Sequence, residues 1–125
     1  MNIQMETRLR VGLMGLLMMG GLWPLQGWSN PLQQEINHLF EYLTQSDCHF
    51  IRNGKVYSGK DAVPHIRKKY EHYRDEIKSG EDFIRLSASK SLISKKPYWV
   101  QCGDGTRVLS QQWLTQELER FRQQK

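Results

Sequence analysis

Residues Cys48–Tyr57 read Cys-His-Phe-Ile-Arg-Asn-Gly-Lys-Val-Tyr, two short β-prone runs on either side of Asn53-Gly54. An Asn-Gly pair suits a two-residue type I′ turn, because both central positions of that turn need a positive φ. The turn sets the register and predicts three facing pairs: Arg52 with Lys55, Ile51 with Val56, and Phe50 with Tyr57. A two-stranded hairpin is marginal by itself, so this ribbon must recruit a third strand or a helix.

Helices are predicted on both sides of the hairpin. Upstream, Asn30 is a good N-cap for a helix that ends at Ser46. Downstream, Ser58 can cap a second helix, whose apolar spacing continues to Ile77. The hairpin is therefore expected to lie between two helices along the chain.

The remaining residues predict two further helices and two further strands. A third helix is expected from Glu81 to about Lys90, a third strand over Tyr98–Cys102, a short edge strand over Arg107–Leu109, and a last helix capped by Ser110. This order predicts a small single α+β domain, in which the hairpin and the third strand form a short antiparallel-type sheet packed against three to four helices.

The first 29 residues have the pattern of a secretory signal peptide. Two arginines precede the apolar run Val11–Leu22, and Gly27-Trp28-Ser29 places small residues at the positions that a signal peptidase reads. The apolar run is too short for a bilayer, which needs about 20 apolar residues. We expect cleavage near Ser29, a single domain over residues 30–125, and a periplasmic or secreted product without a stable membrane anchor.

The charge of the expected mature chain is mildly positive. The full sequence has 18 Lys and Arg and 13 Asp and Glu; two of the former and one of the latter lie in the first 29 residues, which leaves 16 and 12. The signs are interleaved, and nucleic-acid binders instead concentrate positive charge on one face. The pattern favours loose attraction to an anionic envelope surface over a dedicated nucleic-acid groove, so no nucleic-acid partner is predicted.

The sequence has two cysteines, Cys48 and Cys102. Cysteines in a short exported chain most often pair, because that compartment is oxidising and a small core is marginal. A disulfide is therefore predicted between them, with a stabilisation of roughly 4 kcal/mol in the chain-entropy model. Two buried free thiols are the alternative. A redox pair would usually carry Cys-x-x-Cys, which is absent.

Four motifs along the chain resemble a known family. They are Phe50-Ile51-Arg52-Asn53-Gly54, Ala62-Val63-Pro64-His65-Ile66-Arg67, Glu81-Asp82-Phe83-Ile84 and Lys96-Pro97-Tyr98. In this order and spacing they are similar to a group of short exported proteins of Gram-negative bacteria, classed only as a domain of unknown function. The resemblance covers nearly all of residues 30–125. It implies an exported single-domain protein and supplies no reaction, ligand or cofactor.

Patterns for catalysis and metal binding are weak. Residues 87–90, Ser-Ala-Ser-Lys, match the Ser-x-x-Lys of penicillin-binding enzymes, but the companion motifs and the far larger fold of those enzymes are missing. A metal site built on Glu35, His38 and Glu41 would need a fourth ligand that the sequence does not supply. We therefore predict no catalytic residue, no metal site and no cofactor.

Recognition remains as the favoured role. The candidate binding residues are polar or amphipathic side chains in the motifs and at strand ends: Arg52, Asn53, Lys55, His65, Arg67, Lys96 and Tyr98. Their structural alternatives are plain, since Asn53 makes the turn and Arg67 can pair with Glu71. The hypothesis is that the hairpin tip and the start of the third strand form a basic, aromatic-edged surface for an anionic or carbonyl-rich partner.

The function predicted from the sequence is a non-catalytic binding module for an envelope protein, peptide or glycan, acting as a monomer. The alternative is an inhibitor of a periplasmic or foreign hydrolase, with the segment Lys95–Tyr98 as its blocking loop. A small hydrolase is a third reading, for which no nucleophile, base and orienting group come together. The sequence leaves open whether the sheet face with Ile51, Val56 and Trp99 is covered.

Overall fold

The computed structural model describes residues 30–124, so the predicted signal peptide lies outside the described residues. The elements in this range are, in chain order, α1 (Pro31–Gln45), β1 (His49–Arg52), β2 (Lys55–Ser58), α2 (Gly59–His72), a 3₁₀ helix (Arg74–Glu76), α3 (Gly80–Ser87), β3 (Trp99–Gln101), β4 (Val108–Leu109) and α4 (Ser110–Gln123). The predicted α+β class is confirmed. Within residues 30–124, no helix combines the length and the hydrophobicity that crossing a membrane requires.

The hairpin of β1 and β2 has the predicted register. Phe50 pairs with Tyr57 in an antiparallel ladder that runs down to the turn. Asn53 and Gly54 have φ values of 51° and 80°, as a type I′ turn requires. Ser58 ends β2 and caps α2, because its side-chain oxygen accepts a hydrogen bond of 3.1 Å from the backbone amide of Asp61.

The sheet has four antiparallel strands in the order β2-β1-β3-β4. Phe50 of β1 pairs with Val100 of β3, and Val100 pairs with Val108 of β4. The predicted disulfide is confirmed: Cys48 and Cys102 are bonded, with their Cα atoms 4.2 Å apart. The bridge therefore joins the chain just before β1 to the chain just after β3.

The core lies between one face of the sheet and the helices. Its members are buried apolar residues from α1, α2, α3, α4 and the sheet: Ile36, Leu39, Phe40, Leu43, Phe50, Ala62, Ile66, Tyr70, Ile77, Phe83, Ile84, Ala88, Val100, Leu114 and Leu118. Gly59 lets α1 and α2 approach closely, since an added Cβ would lie 1.9 Å from the backbone oxygen of Leu43.

The opposite face of the sheet carries a row of apolar residues that crosses all four strands. Val56, Ile51, Trp99 and Leu109 are consecutive partners in the ladders. Val56 is 61% exposed and Trp99 is half-buried. In the described part of the chain, this face is therefore open to solvent at its β2 edge.

Three predicted helix boundaries were wrong. The second helix ends at His72, and a 3₁₀ helix then keeps Ile77 in the core, so the apolar spacing continues beyond the α-helix. The third helix ends at Ser87, because Ala88 leaves helical geometry with φ −131°. Ser110 is the first residue of α4 and does not cap it; its buried hydroxyl donates to the Ala88 backbone oxygen at 2.9 Å.

Candidate functional site

A pocket of about 550 Å³ opens between the end of β1, helix α2 and the loop of residues 90–97. Its volume lies within the range of about 300–1,000 Å³ that is usual for small-molecule sites. The residues that line it, here called the cationic pocket, are Arg52, His65, Lys68, Lys69, Ser91, Leu92, Ile93 and Tyr98. None of these residues is acidic, and three are Lys or Arg.

The hairpin and helix α2 together place the basic side chains. Arg52 is the last residue of β1 and shares the core-facing side of the strand with Phe50, because side chains alternate along a strand. Helix α2 follows the hairpin directly, and its residues His65 and Lys69 are one turn apart on the same side. Tyr98 precedes β3, the neighbour of β1, so its ring closes the pocket between strand and helix.

Arg52 is held by tyrosine hydroxyls and, within residues 30–124, by no carboxylate. Its Nη1 atom donates to the Tyr57 hydroxyl at 3.3 Å. Burial disfavours its charge, but the hydroxyls of Tyr98 and Tyr57 outweigh this effect, and the pKa of Arg52 is raised. The Nε atom is buried without a hydrogen-bond partner among the described residues. A buried donor without a partner is uncommon in native proteins, because it costs stability.

Lys69 is the second cation of the pocket. Its Nζ atom donates to the backbone oxygen of Lys90, and it lies 3.3 Å from the Tyr98 hydroxyl. Burial, followed by repulsion from Arg52 and Lys90, lowers the pKa of Lys69 to about 8. Lys69 is therefore mainly charged at neutral pH, but this charge is disfavoured by its surroundings.

His65 adds a titratable group at the inner wall. Burial, and then the positive charges of Arg52 and Lys68, lower its pKa below the ordinary value. The ring meets Tyr57 edge to face, with centroids 5.0 Å apart. His65 is consequently neutral at pH 7 and would gain a charge only in more acidic solution.

These groups can bind an anion. A concave, partly desolvated site that is lined by positive charges concentrates their electric field and attracts a negatively charged ligand. Arg52 and Lys69 can form charge-assisted hydrogen bonds to a phosphate or carboxylate, and such bonds are shorter and stronger than neutral ones. The Tyr98 hydroxyl lies beside both cations and can donate to the same group.

The outer wall of the pocket is the loop of residues 90–97, which its own hydrogen bonds hold in shape. The Ser91 amide donates to the Lys96 backbone oxygen at 3.0 Å. The Ser94 hydroxyl donates to the side-chain oxygen of Asn53 at 2.6 Å, which ties the loop to the hairpin turn. Loop and hairpin therefore form one wall, although 41 residues separate these two positions.

The structure brings together three of the seven candidate binding residues, namely Arg52, His65 and Tyr98. Asn53 and Lys96 line a separate surface depression of about 330 Å³ beside Trp99. The other two lie elsewhere, as described next.

Lys55 is exposed on β2, and Arg67 lies on another side of α2. The Arg67 guanidinium stacks on the Phe40 ring, 4.1 Å from its centroid, and the suggested ion pair with Glu71 does not form among the described residues. The sequence did not indicate Lys68, Lys69, Ser91, Leu92 or Ile93 as site residues. The spacing of four between His65 and Lys69 is the signal that could have found the most important of them.

The other sequence patterns have structural roles. Ser87 is fully buried, so the Ser-x-x-Lys serine faces the core. His38 hydrogen-bonds to Glu117 at 2.6 Å, and Glu35 accepts hydrogen bonds from Arg122. Among residues 30–124, no group of three His, Cys, Asp or Glu side chains is placed to hold a metal ion.

The fold and the pocket define a small disulfide-bonded α+β domain with one strongly basic concave site. By its sequence, the chain belongs to the family of unknown function DUF5329, whose family model matches residues 30–122. The uncharacterized protein YfeK of Salmonella typhimurium is 38% identical over 81 residues, which cover 62% of this chain and 68% of YfeK. No solved structure matches the chain. The predicted resemblance to a bacterial family of unknown function is confirmed.

Proposed function

We propose that this protein is a non-catalytic binding module of the periplasm, which holds an anionic group of an envelope ligand in the cationic pocket. One observation carries the proposal. Arg52 and Lys69 converge with Tyr98 in a pocket whose lining has no acidic residue.

A purely structural role accounts poorly for this arrangement. Two half-buried cations without a carboxylate partner among the described residues repel each other and lose hydration, which costs stability. The lowered pKa of Lys69, caused first by burial and then by Arg52 and Lys90, is a sign of that cost. An anion in the pocket would remove the repulsion, so the site is better suited to a ligand than to the folded protein alone.

The lining offers little for catalysis. Ser91 and Tyr98 are its hydroxyl groups, and the Ser91 oxygen accepts a hydrogen bond from the Ser94 amide. His65 is the one histidine of the lining, and no acidic residue of the pocket is available to orient it. A nucleophile, a base and an orienting group are thus not assembled in this pocket.

The inhibitor alternative ranks second. In its suggested blocking segment Lys95–Tyr98, residues 95–97 are exposed, but the aromatic residue Tyr98 is only 7% exposed and lines the pocket. A blocking residue must enter the target, and Tyr98 is not free to do so. Binding of an anion requires no such rearrangement.

Export to the periplasm is part of the proposal. The signal-peptide pattern of residues 1–29 supports it, and the Cys48–Cys102 bond supports it independently, because disulfides persist in oxidising compartments. The envelope is also rich in anionic groups, which the pocket could bind.

The test is calorimetric titration of the protein, purified from the periplasm, with glycerol 3-phosphate, and with glycerol as the uncharged probe. Binding of glycerol 3-phosphate alone is expected. Lys69→Met should weaken it roughly tenfold or more, because a hydrogen bond to a charged group contributes about 1.5–3 kcal/mol. The matched control is Lys60→Met, an exposed lysine on the same helix, which should bind normally. Equal affinity in both variants, or no binding by the unmodified protein, would contradict the proposal.

A further inference from the structure

The rim of the cationic pocket is apolar and strongly exposed. Ile93 is 94% exposed and Leu92 is 43% exposed, and both line the pocket. Single exposed aliphatic residues are normal on protein surfaces. These two are adjacent, they stand on a hydrogen-bonded loop, and they border a basic site; we call them the Leu92–Ile93 tip.

The loop that bears the tip and the neighbouring hairpin carry charge of a single sign. Between Asp82 and Asp104 the chain has no acidic residue, and between Asp47 and Asp61 it has none either. These two segments supply the loop and the hairpin. Their basic residues include Arg52, Lys90, Lys95 and Lys96, and helix α2 adds Lys68 and Lys69 to the pocket lining.

We propose that the cationic pocket and the Leu92–Ile93 tip together dock this protein on a bilayer that contains anionic phospholipid. The inference rests on the proposed function and specifies its anion: the phosphate of a lipid headgroup enters the pocket, and the tip enters the boundary with the acyl chains. Peripheral binding strengthens with the apolar area that is buried and with attraction to anionic lipid. Each basic residue near such a surface contributes a factor of about five in affinity.

A bilayer fits these features better than a folded protein partner. Stable protein interfaces bury about 800 Å² on each partner, and two aliphatic side chains supply far less. Protein interfaces also depend on Trp, Tyr and Arg anchors, and the aromatic residue of this site, Tyr98, is buried. A fluid surface with negative headgroups needs neither a large area nor shape complementarity.

The test is flotation of the protein, purified from the periplasm, with vesicles of phosphatidylcholine alone and of phosphatidylcholine mixed with phosphatidylglycerol. We expect binding to the mixed vesicles only. Ile93→Ser should weaken it about tenfold, because the side chain no longer leaves water. Val56→Ser is the matched control: this 61% exposed valine lies on the other face of the sheet, and its loss should not change vesicle binding.

Each contrary result has a distinct meaning. Full vesicle affinity in Ile93→Ser, or equal binding to both vesicle types, would overturn the docking and leave the anion site intact. Binding of glycerol 3-phosphate without binding to either vesicle would do the same. If Lys69→Met binds the mixed vesicles as well as the unmodified protein does, the pocket does not contribute to docking and the proposal is overturned. Binding of poly-glutamate in place of vesicles would indicate a protein partner and overturn the lipid assignment.

Discussion

The cationic pocket and the helix junction of this domain use positive charge in opposite ways. At the helix junction, which consists of Glu35, His38, Glu81, Glu117, Arg120 and Arg122, the arginines have carboxylate partners. Arg122 bridges Glu35 of α1 and Glu81 of α3 through four hydrogen bonds of 2.7–3.0 Å. In the cationic pocket, Arg52 and Lys69 have tyrosine hydroxyls and a backbone oxygen as partners.

The difference separates charges that hold the fold from charges that are available to a ligand. Glu117 is 4% exposed and is satisfied by Arg120 and His38, which keeps α4 in place against α1. A charged group that is already paired with a carboxylate gains little from a further ligand. Arg52 and Lys69 have no carboxylate partner among the described residues, so binding of an anion would stabilise their charges.

The largest effect is expected from breaking the helix junction. Glu117→Ala should lower the free energy of unfolding by about 2 kcal/mol, because it leaves His38 and Arg120 without their buried partner. Denaturation by urea measures this loss. Glu119→Ala, an exposed carboxylate on the same helix, is the control and should change stability by no more than about 0.5 kcal/mol. Equal effects in the two variants would show that the junction is not what fixes the helices.

The second prediction concerns the cationic pocket and the affinity for an anion, and its expected effect is smaller than the loss of stability at the helix junction. The pKa of Lys69 is about 8 because of burial and then of Arg52 and Lys90, and a bound anion would raise it. Affinity for glycerol 3-phosphate should therefore fall as pH rises above about 8, by at most tenfold per pH unit. The ligand itself stays fully ionised there, since its second pKa is near 6. The groups that face Lys69 are Arg52, His65, Lys68, Lys90 and Tyr98.

Lys69→Arg is the control for this titration, because arginine keeps its charge throughout the range. The affinity of Lys69→Arg for glycerol 3-phosphate should therefore not change between pH 7 and pH 9.5. A decline of the same size in Lys69→Arg would assign the titration to another group. The same linkage predicts that the unliganded protein gains stability as pH rises from about 8 towards 10.5, because the unfolded chain then holds the proton that folded Lys69 has lost.

The parts of the fold that local signals determine were predictable from the sequence. Asn53-Gly54 requires the positive φ values that are observed, and the hairpin register follows from that turn. The predicted pairing of Cys48 with Cys102 is also confirmed. The helix ends were less predictable, since the spacing that brings Ile77 to the core suits both an α-helix and the 3₁₀ helix that is present.

The pocket was only partly predictable because its key contacts join distant parts of the chain. Lys69 looks like a solvated residue on the polar face of α2, and it becomes half-buried through Lys90 and Tyr98, which lie 21 and 29 residues further on. The loop of residues 90–97 is polar and serine-rich, and nothing in its sequence indicates that Leu92 and Ile93 are exposed and not buried. Arg52 was identified because it lies beside a turn whose geometry the sequence determines.

The most direct measurement of the central claim is thermal unfolding of the protein and of Lys69→Met, each with and without glycerol 3-phosphate. If Lys69 is kept for a ligand at the expense of stability, Lys69→Met should be more stable without the anion, by about 0.5 kcal/mol after allowance for solvent screening. The anion should raise the Tm of the unmodified protein and raise that of the variant less. A variant that is less stable without the anion and gains as much from it would contradict the account.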